Sequence, residues 1–135
     1  MATKPTQVTF ADVNGAVLAS SGGVPTAPAA VQGSTGNYAT ATASAAVVTK
    51  GAPGAGVSHV IDGIAWSYNA TPAGSLTVTD DGVAVFSVDI TTSGPGFFFW
   101  PRPLKITANK EMVVTLASGG FGIVGKVNLL GARTE

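Results

Sequence analysis

From residue 38 to residue 135 the chain alternates apolar and polar positions with a period of two, in short runs cut by glycine, proline and aspartate. That period belongs to strands with one buried face. Residues 38–49 set Ala39, Ala41, Ala43, Ala45 and Val47 against Thr40, Thr42, Ser44 and Val48, which predicts one strand of small side chains. After the breaker at 51–56, residues 57–69 place Val60, Ile64, Trp66 and Tyr68 on one face and His59, Ser67 and Asn69 on the other. This is the expected principal core strand. Pro72 and Gly74 turn the chain into a strand at 75–79, and Asp80-Asp81-Gly82 is a strong hairpin signal before a strand at 83–91. Aspartate and glycine tolerate the positive φ of a tight hairpin turn, so these two strands are expected to pair antiparallel.

Further along, Phe97-Phe98-Phe99-Trp100 forms an aromatic run closed by Pro101-Arg102-Pro103, followed by a short strand at 104–107. Residues 111–117 put Met112, Val114 and Leu116 on a shared face, and residues 121–130 alternate Phe121, Ile123, Val127 and Leu129 with Val124, Lys126, Asn128 and Leu130. No segment holds a helical period over ten residues, because β-branched residues and glycine interrupt each candidate. About eight short antiparallel strands with frequent turn signals predict an all-β fold, a single antiparallel β-sandwich of jelly-roll type, with a small barrel as the alternative.

Composition divides the chain near Asn37. In residues 1–37 one short hairpin is expected, with Val8 and Phe10 before Asp12, Asn14-Gly15 at the turn, and Val17-Leu18 after it. Residues 20–36, SSGGVPTAPAAVQGSTG, are small and uncharged, as in a linker or an arm that orders against a partner. The expected organisation is therefore an extended N-terminal arm at 1–37 and a β-sandwich at 38–135.

Charge is scarce. Seven basic and seven acidic residues make up 10% of the 135 residues, far below the usual quarter, and the net charge is zero. With a pI near 6.5 there is no general attraction for phosphate backbones or anionic lipid, so neither nucleic acid nor membrane is an expected partner. A surface so poor in charge gives little colloidal protection and suits a protein standing in an assembly. Five basic and two acidic groups fall in residues 102–135, against two and five before, a polarity that would match between copies in a head-to-tail ring. Cysteine is absent, which excludes disulfides and thiolate chemistry. No signal-like apolar run follows the N-terminus, and no stretch reaches spanning length, so synthesis in the cytoplasm is expected.

Candidate chemistry is thin. Gly120-x-x-x-x-Gly125-Lys126 approaches a phosphate-binding loop, but Val127 stands where a magnesium-binding Ser or Thr belongs, and too little chain follows for the helix. His59 has no second histidine to work with, and a sheet-surface or interface role is expected for it. Asp62, Asp80, Asp81 and Asp89 are the carboxylates from which a calcium site would have to be drawn, though Asp80 and Asp81 are accounted for by the turn. Asn69-Ala70-Thr71 matches a glycosylation acceptor without a secretory context. No catalytic, cofactor-binding or metal-binding residue is assigned, and enzymatic activity is not expected. Four consecutive aromatics cannot all point inward from one strand. With Phe97 and Phe99 facing the core, Phe98 or Trp100 would meet a neighbour.

From residue 56 to 132 the succession GVSHVIDGIAWSYNATPAGSLTVTDDGVAVFSVDI, the segment SGPGFFFWPRPLKI and the closing VVTLASGGFGIVGKVNLLGA resemble small virion structural proteins of tailed bacteriophages. The resemblance implies a β-sandwich, often trimeric, that decorates or cements a capsid or forms a knob on a fibre, and it implies no active-site residues. The expected partners are then the major capsid protein and further copies of the chain, three in all, on the surface of a virion. Val8, Phe10, Val17 and Leu18 are the expected anchors of the arm on the capsid, and Phe98, Trp100 and Lys126 the expected subunit contacts. The competing expectation is a receptor- or carbohydrate-binding module of a fibre or tail, with exposed aromatics and threonine-rich faces making the contacts.

Overall fold

A computed structural model describes residues 36–135. The expected arm anchors Val8, Phe10, Val17 and Leu18, and the hairpin expected around them, lie outside the described residues. Within them the chain is all strand, without a helix. The strands are β1 (Tyr38–Thr42), β2 (Ala46–Lys50), β3 (His59–Tyr68), β4 (Gly74–Asp80), β5 (Val83–Ile90), β6 (Gly94–Lys105), β7 (Met112–Leu116), β8 (Val124–Leu130) and the two-residue β9 (Arg133–Thr134).

They form two antiparallel sheets. The first runs β6, β3, β8, β1, with β9 continuing the line of β8 along the edge of β3; the second runs β2, β7, β4, β5. The pairings are nested: β1 with β8, β2 with β7, β3 with β6 and β4 with β5. This is the winding of a jelly roll, a long folded ribbon rolled so that its strands alternate between two layers. The expected sandwich is present.

Between the sheets lies one core. Ile64, Tyr68, Val127 and Leu129 of the first sheet meet Val48, Leu76, Val78, Met112, Val114 and Leu116 of the second, all buried. Tyr68 ties the two layers together. Its hydroxyl donates to the Ala117 carbonyl at 2.6 Å, and its ring occupies space that a Cβ on Gly74, Gly119 or Gly125 would invade. The Asp81-Gly82 turn holds both residues at positive φ, 52° and 85°, and joins β4 to β5 as the sequence predicts. Met112, Val114 and Leu116 share the buried face of β7, also as predicted.

Four expectations are corrected. Residues 38–49 are two strands in different sheets: the chain breaks at Ala43, whose φ is 56°, and the inward parity switches from Ala39 and Ala41 to Ala46 and Val48, leaving Val47 exposed. Val60 does not share the core face with Ile64, because the pairing slips between Ile61 and Gly63 and Ile61 takes the core position. The aromatic run and the strand after it are one strand, β6. Its partner register jumps from Phe99 opposite Gly63 to Leu104 opposite Ile61, so residues 100–103 bow out against Asp62 alone. Pro101 and Pro103 have no N–H to give to a ladder, which makes that bow cheap. Finally, Phe121 lies in the loop before β8 and is 101% exposed, so alternation within the strand begins only at Val124.

Candidate functional site

Of the candidate reactive side chains, His59, Asp62, Asp80 and Asp81 are engaged by their own fold, and Asp89 stands alone on β5 among the described residues. The His59 Nε2–H donates to the Gly51 carbonyl at 2.6 Å. Asp62 accepts from Arg133 at 2.8 Å, and Asp81 pairs with Lys110 at 3.0 Å. The hydrogen bond to Asp62 raises the Arg133 pKa above its ordinary value. Asp80 Oδ2 accepts both the backbone N–H and the hydroxyl of Thr107, at 2.9 and 2.7 Å, fastening the loop after β6 to the end of β4. Among the described residues, no three His, Asp or Glu side chains gather closely enough to hold a metal ion. Gly120 sits in a loop, whereas Gly125 and Lys126 lie in β8, an antiparallel strand between β3 and β1, so no strand-loop-helix cradle for phosphate exists there. Asn69 Oδ1 accepts the Val124 N–H at 2.9 Å and ties two loops.

Two recesses lie beside these groups. One, of about 240 Å³, is lined by Lys50, His59, Val60, Met112 and Arg133 among others; another, of about 280 Å³, lies over Asp80, Asp81, Val83, Val85, Thr107 and Lys110.

The unusual features are apolar. Nine large hydrophobic side chains are exposed among the described residues, and six of them belong to β5 and β6: Val83, Val85, Val88, Phe97, Phe98 and Phe99. These strands are the open edges of the two sheets and lie on the same side of the sandwich. Alternation sends the β6 aromatics to opposite faces. Phe98 and Trp100 turn to the layer interior, where they meet Phe86 of β5 at ring-centroid distances of 5.1 and 5.0 Å and each other at 5.2 Å. Phe97 and Phe99 turn outward, 68% and 54% exposed, and pack edge to face at 5.7 Å. Inward placement of Phe97 and Phe99 is thereby reversed. A Cβ at Gly63 would collide with the Phe99 ring at 2.7 Å, so the ring lies along the outer surface of β3.

Of the three residues expected at a subunit contact, the fold brings Phe98 and Trp100 together and sets Lys126 apart. Trp100 is half-buried against the core and Phe98 is at the rim, whereas Lys126 points from the outer face of the first sheet between Ser67 and Thr40. The exposed valines of β5 were legible only as ordinary strand alternation. Their position at an edge depends on which strands pair.

Fold and surface together define a jelly-roll β-sandwich with an aromatic, unpaired side. Comparison with protein-family models, curated proteins and solved structures finds no match to this chain.

Proposed function

We propose that the chain is a non-enzymatic structural protein that works by contact, as an oligomeric decoration or cement protein on the outer shell of a phage particle. The observation that carries this reading is the concentration of exposed apolar side chains on the β5–β6 side. An open sheet edge in a protein that stays single is normally blunted by charge, and exposed apolar side chains gathered along such an edge mark a contact surface. Here β5 runs from Val83 to Ile90 with Asp89 as its one charged residue. On β6, Pro95, Pro101 and Pro103 discourage strand addition, so contact there is made by side chains.

In this arrangement the β5–β6 side of one copy packs on another copy, and the assembled ring is laid on capsomers that it bridges. Shell stabilisation then follows by linkage, since a ligand that binds the assembled state alone shifts the equilibrium toward it. The test uses the full chain. Sedimentation velocity is expected to give an oligomer that Val85→Asp with Phe98→Ser reduces to a single chain while the circular dichroism stays that of a β protein. Co-sedimentation with emptied phage shells is expected to saturate at hundreds of copies per particle. A chain that is monomeric at tens of micromolar and does not bind shells refutes the proposal.

A further inference from the structure

We infer that the outer face of the five-stranded sheet is a binding site for a short uncharged oligosaccharide lying across the strands. This site adjoins the β5–β6 contact side, because the outward rings Phe97 and Phe99 of β6 border both, but it does not use Phe98 or the β5 valines. The pairing registers lay out its rows: Phe97, Ala65, Asn128 and Tyr38 in one, Pro95, Ser67, Lys126 and Thr40 in the next, and Phe99, Gly63 and Leu130 on the other side. Along β3 the outward positions are Gly63, covered by the Phe99 ring, and Ala65 and Ser67, so the face is low along β3 beside Phe97, while the next strand, β8, presents Asn128, Lys126 and Leu130. The walls are aromatic, with Phe97 and Phe99 on β6 and Tyr38, 49% exposed, on β1. Three strand spacings separate those walls, about 14 Å between backbones. The result is a shallow trough along Ala65 and Ser67, with the β6 rings on one side and the polar side chains of β8, then Tyr38, on the other.

The chemistry of the trough selects its occupant. Sugar rings carry apolar C–H faces that stack on exposed aromatic rings, and hydroxyls that both donate and accept. Asn128 and Ser67 present an amide and a hydroxyl with the same double capacity. Neither side chain has a hydrogen-bond partner among the described residues, and Lys126 has no ion pair there, so all three are available to a ligand. A few convergent polar groups beside apolar walls are the usual composition of a small-molecule site. A nucleic acid strand would ask for several cations, and Lys126 is the one charged side chain in these three rows. A flat protein partner would leave the low floor empty.

The test is a screen of the full chain against neutral di- to tetrasaccharides, with cellotriose, maltotriose and triacetylchitotriose titrated by nuclear magnetic resonance. Saturable binding to at least one is expected, with shifts confined to β1, β3, β6 and β8. Phe97→Ala is expected to weaken it at least tenfold and Asn128→Ala several-fold, with unchanged thermal unfolding in both. Val85→Asp, on β5, is expected to leave sugar binding intact even where it dissociates an oligomer, which separates this site from the proposed subunit contact. Three results overturn the assignment: no binding to any sugar of the panel at millimolar concentration, binding indifferent to both trough substitutions, or dissociation of an oligomer by Phe97→Ala, which would make the face a subunit interface.

Discussion

The two ends of the sandwich are closed by different chemistry. At one end, the loops at 51–58, 81–82 and 106–111 are framed by Lys50, His59, Asp80, Asp81, Lys105, Lys110, Glu111, Arg133 and Glu135. Side chains do much of the fastening there: Asp80 to Thr107, Asp81 to Lys110, Asn109 to the Gly54 N–H, and His59 to Gly51. At the other end, the loops at 43–45, 69–73, 91–93 and 117–123 hold no charged residue, and neither do the strand termini beside them. Backbone hydrogen bonds such as Ala43 N–H to Ile123 and Ala73 N–H to Gly119 close that end, with Tyr68 beneath them. The difference shows where the few charges of this chain have gone. Among the described residues most of them lie at one end, where several act as local clamps, while Asp89, Arg102 and Lys126 lie elsewhere. The charge-free end has to be held by packing, so a single core substitution should hurt it far more than any single charge hurts the other.

Tyr68→Ala is the largest expected effect. Removing a buried aromatic ring from between Gly74, Gly119 and Gly125 should cost about 3–5 kcal/mol, read as a fall in the denaturation midpoint with an unchanged slope. Tyr68→Phe keeps the ring and removes the bond to the Ala117 carbonyl, for about 1–2 kcal/mol. This milder variant also has a pH signature. Burial raises the Tyr68 pKa above its ordinary value of 10.0, so the folded state holds the proton more tightly than the unfolded chain. Its contribution is therefore complete below about pH 10 and is lost as pH rises from there through the folded-state value. Unfolding titrations should show that alkaline loss in the parent and a smaller one in Tyr68→Phe. Equal alkaline slopes would mean that the phenol is not kept from water.

Much of this core could be read from alternation, and the reason is local. Met112, Val114 and Leu116, or the Asp81-Gly82 turn, depend on neighbours within a few residues. What sequence order hides is a change of sheet. The break at Ala43 carries no proline or glycine, so residues 38–49 read as one strand, while the prolines inside β6 read as a boundary and are instead a bow in a continuous strand. Those two misreadings offset each other in the strand count. The bulge at Asp62-Gly63 swaps Val60 for Ile61 in the same way, since a slip of one residue exchanges the faces. For the candidate surfaces, the aromatic run announced that something would be exposed. Which pair faces out, and that the small residues of β3 lie between Phe97 and Tyr38, follows only from the pairing registers.

At the charged end the expected effects are smaller and graded by geometry. Asp80→Ala takes away the acceptor for two Thr107 hydrogen bonds and should cost about 1–2 kcal/mol. Lys110→Ala breaks an ion pair whose partners are each about half exposed, for roughly 0.2–1 kcal/mol that raised salt should erase. Chemical denaturation at low and high ionic strength measures both. The comparison between the ends fails if Lys110→Ala matches Tyr68→Phe, for then single surface charges would be carrying the fold after all.

The smallest expected effect lies at the charge-free end, and it tests the correction about Phe121 most directly. Read as the first residue of a strand, Phe121 would be core, and Phe121→Ser would cost several kcal/mol. The fold instead lifts it into a loop beside Gly120 and Gly122, which adopt φ values of 125° and 72°, and exposes it fully. A side chain already in water loses no burial when it is shortened. Phe121→Ser should therefore change stability by less than about 0.5 kcal/mol and leave the β-sheet circular dichroism unaltered. A loss above about 1 kcal/mol would show the ring packed in solution, and the loop would then belong to the core that Tyr68 anchors.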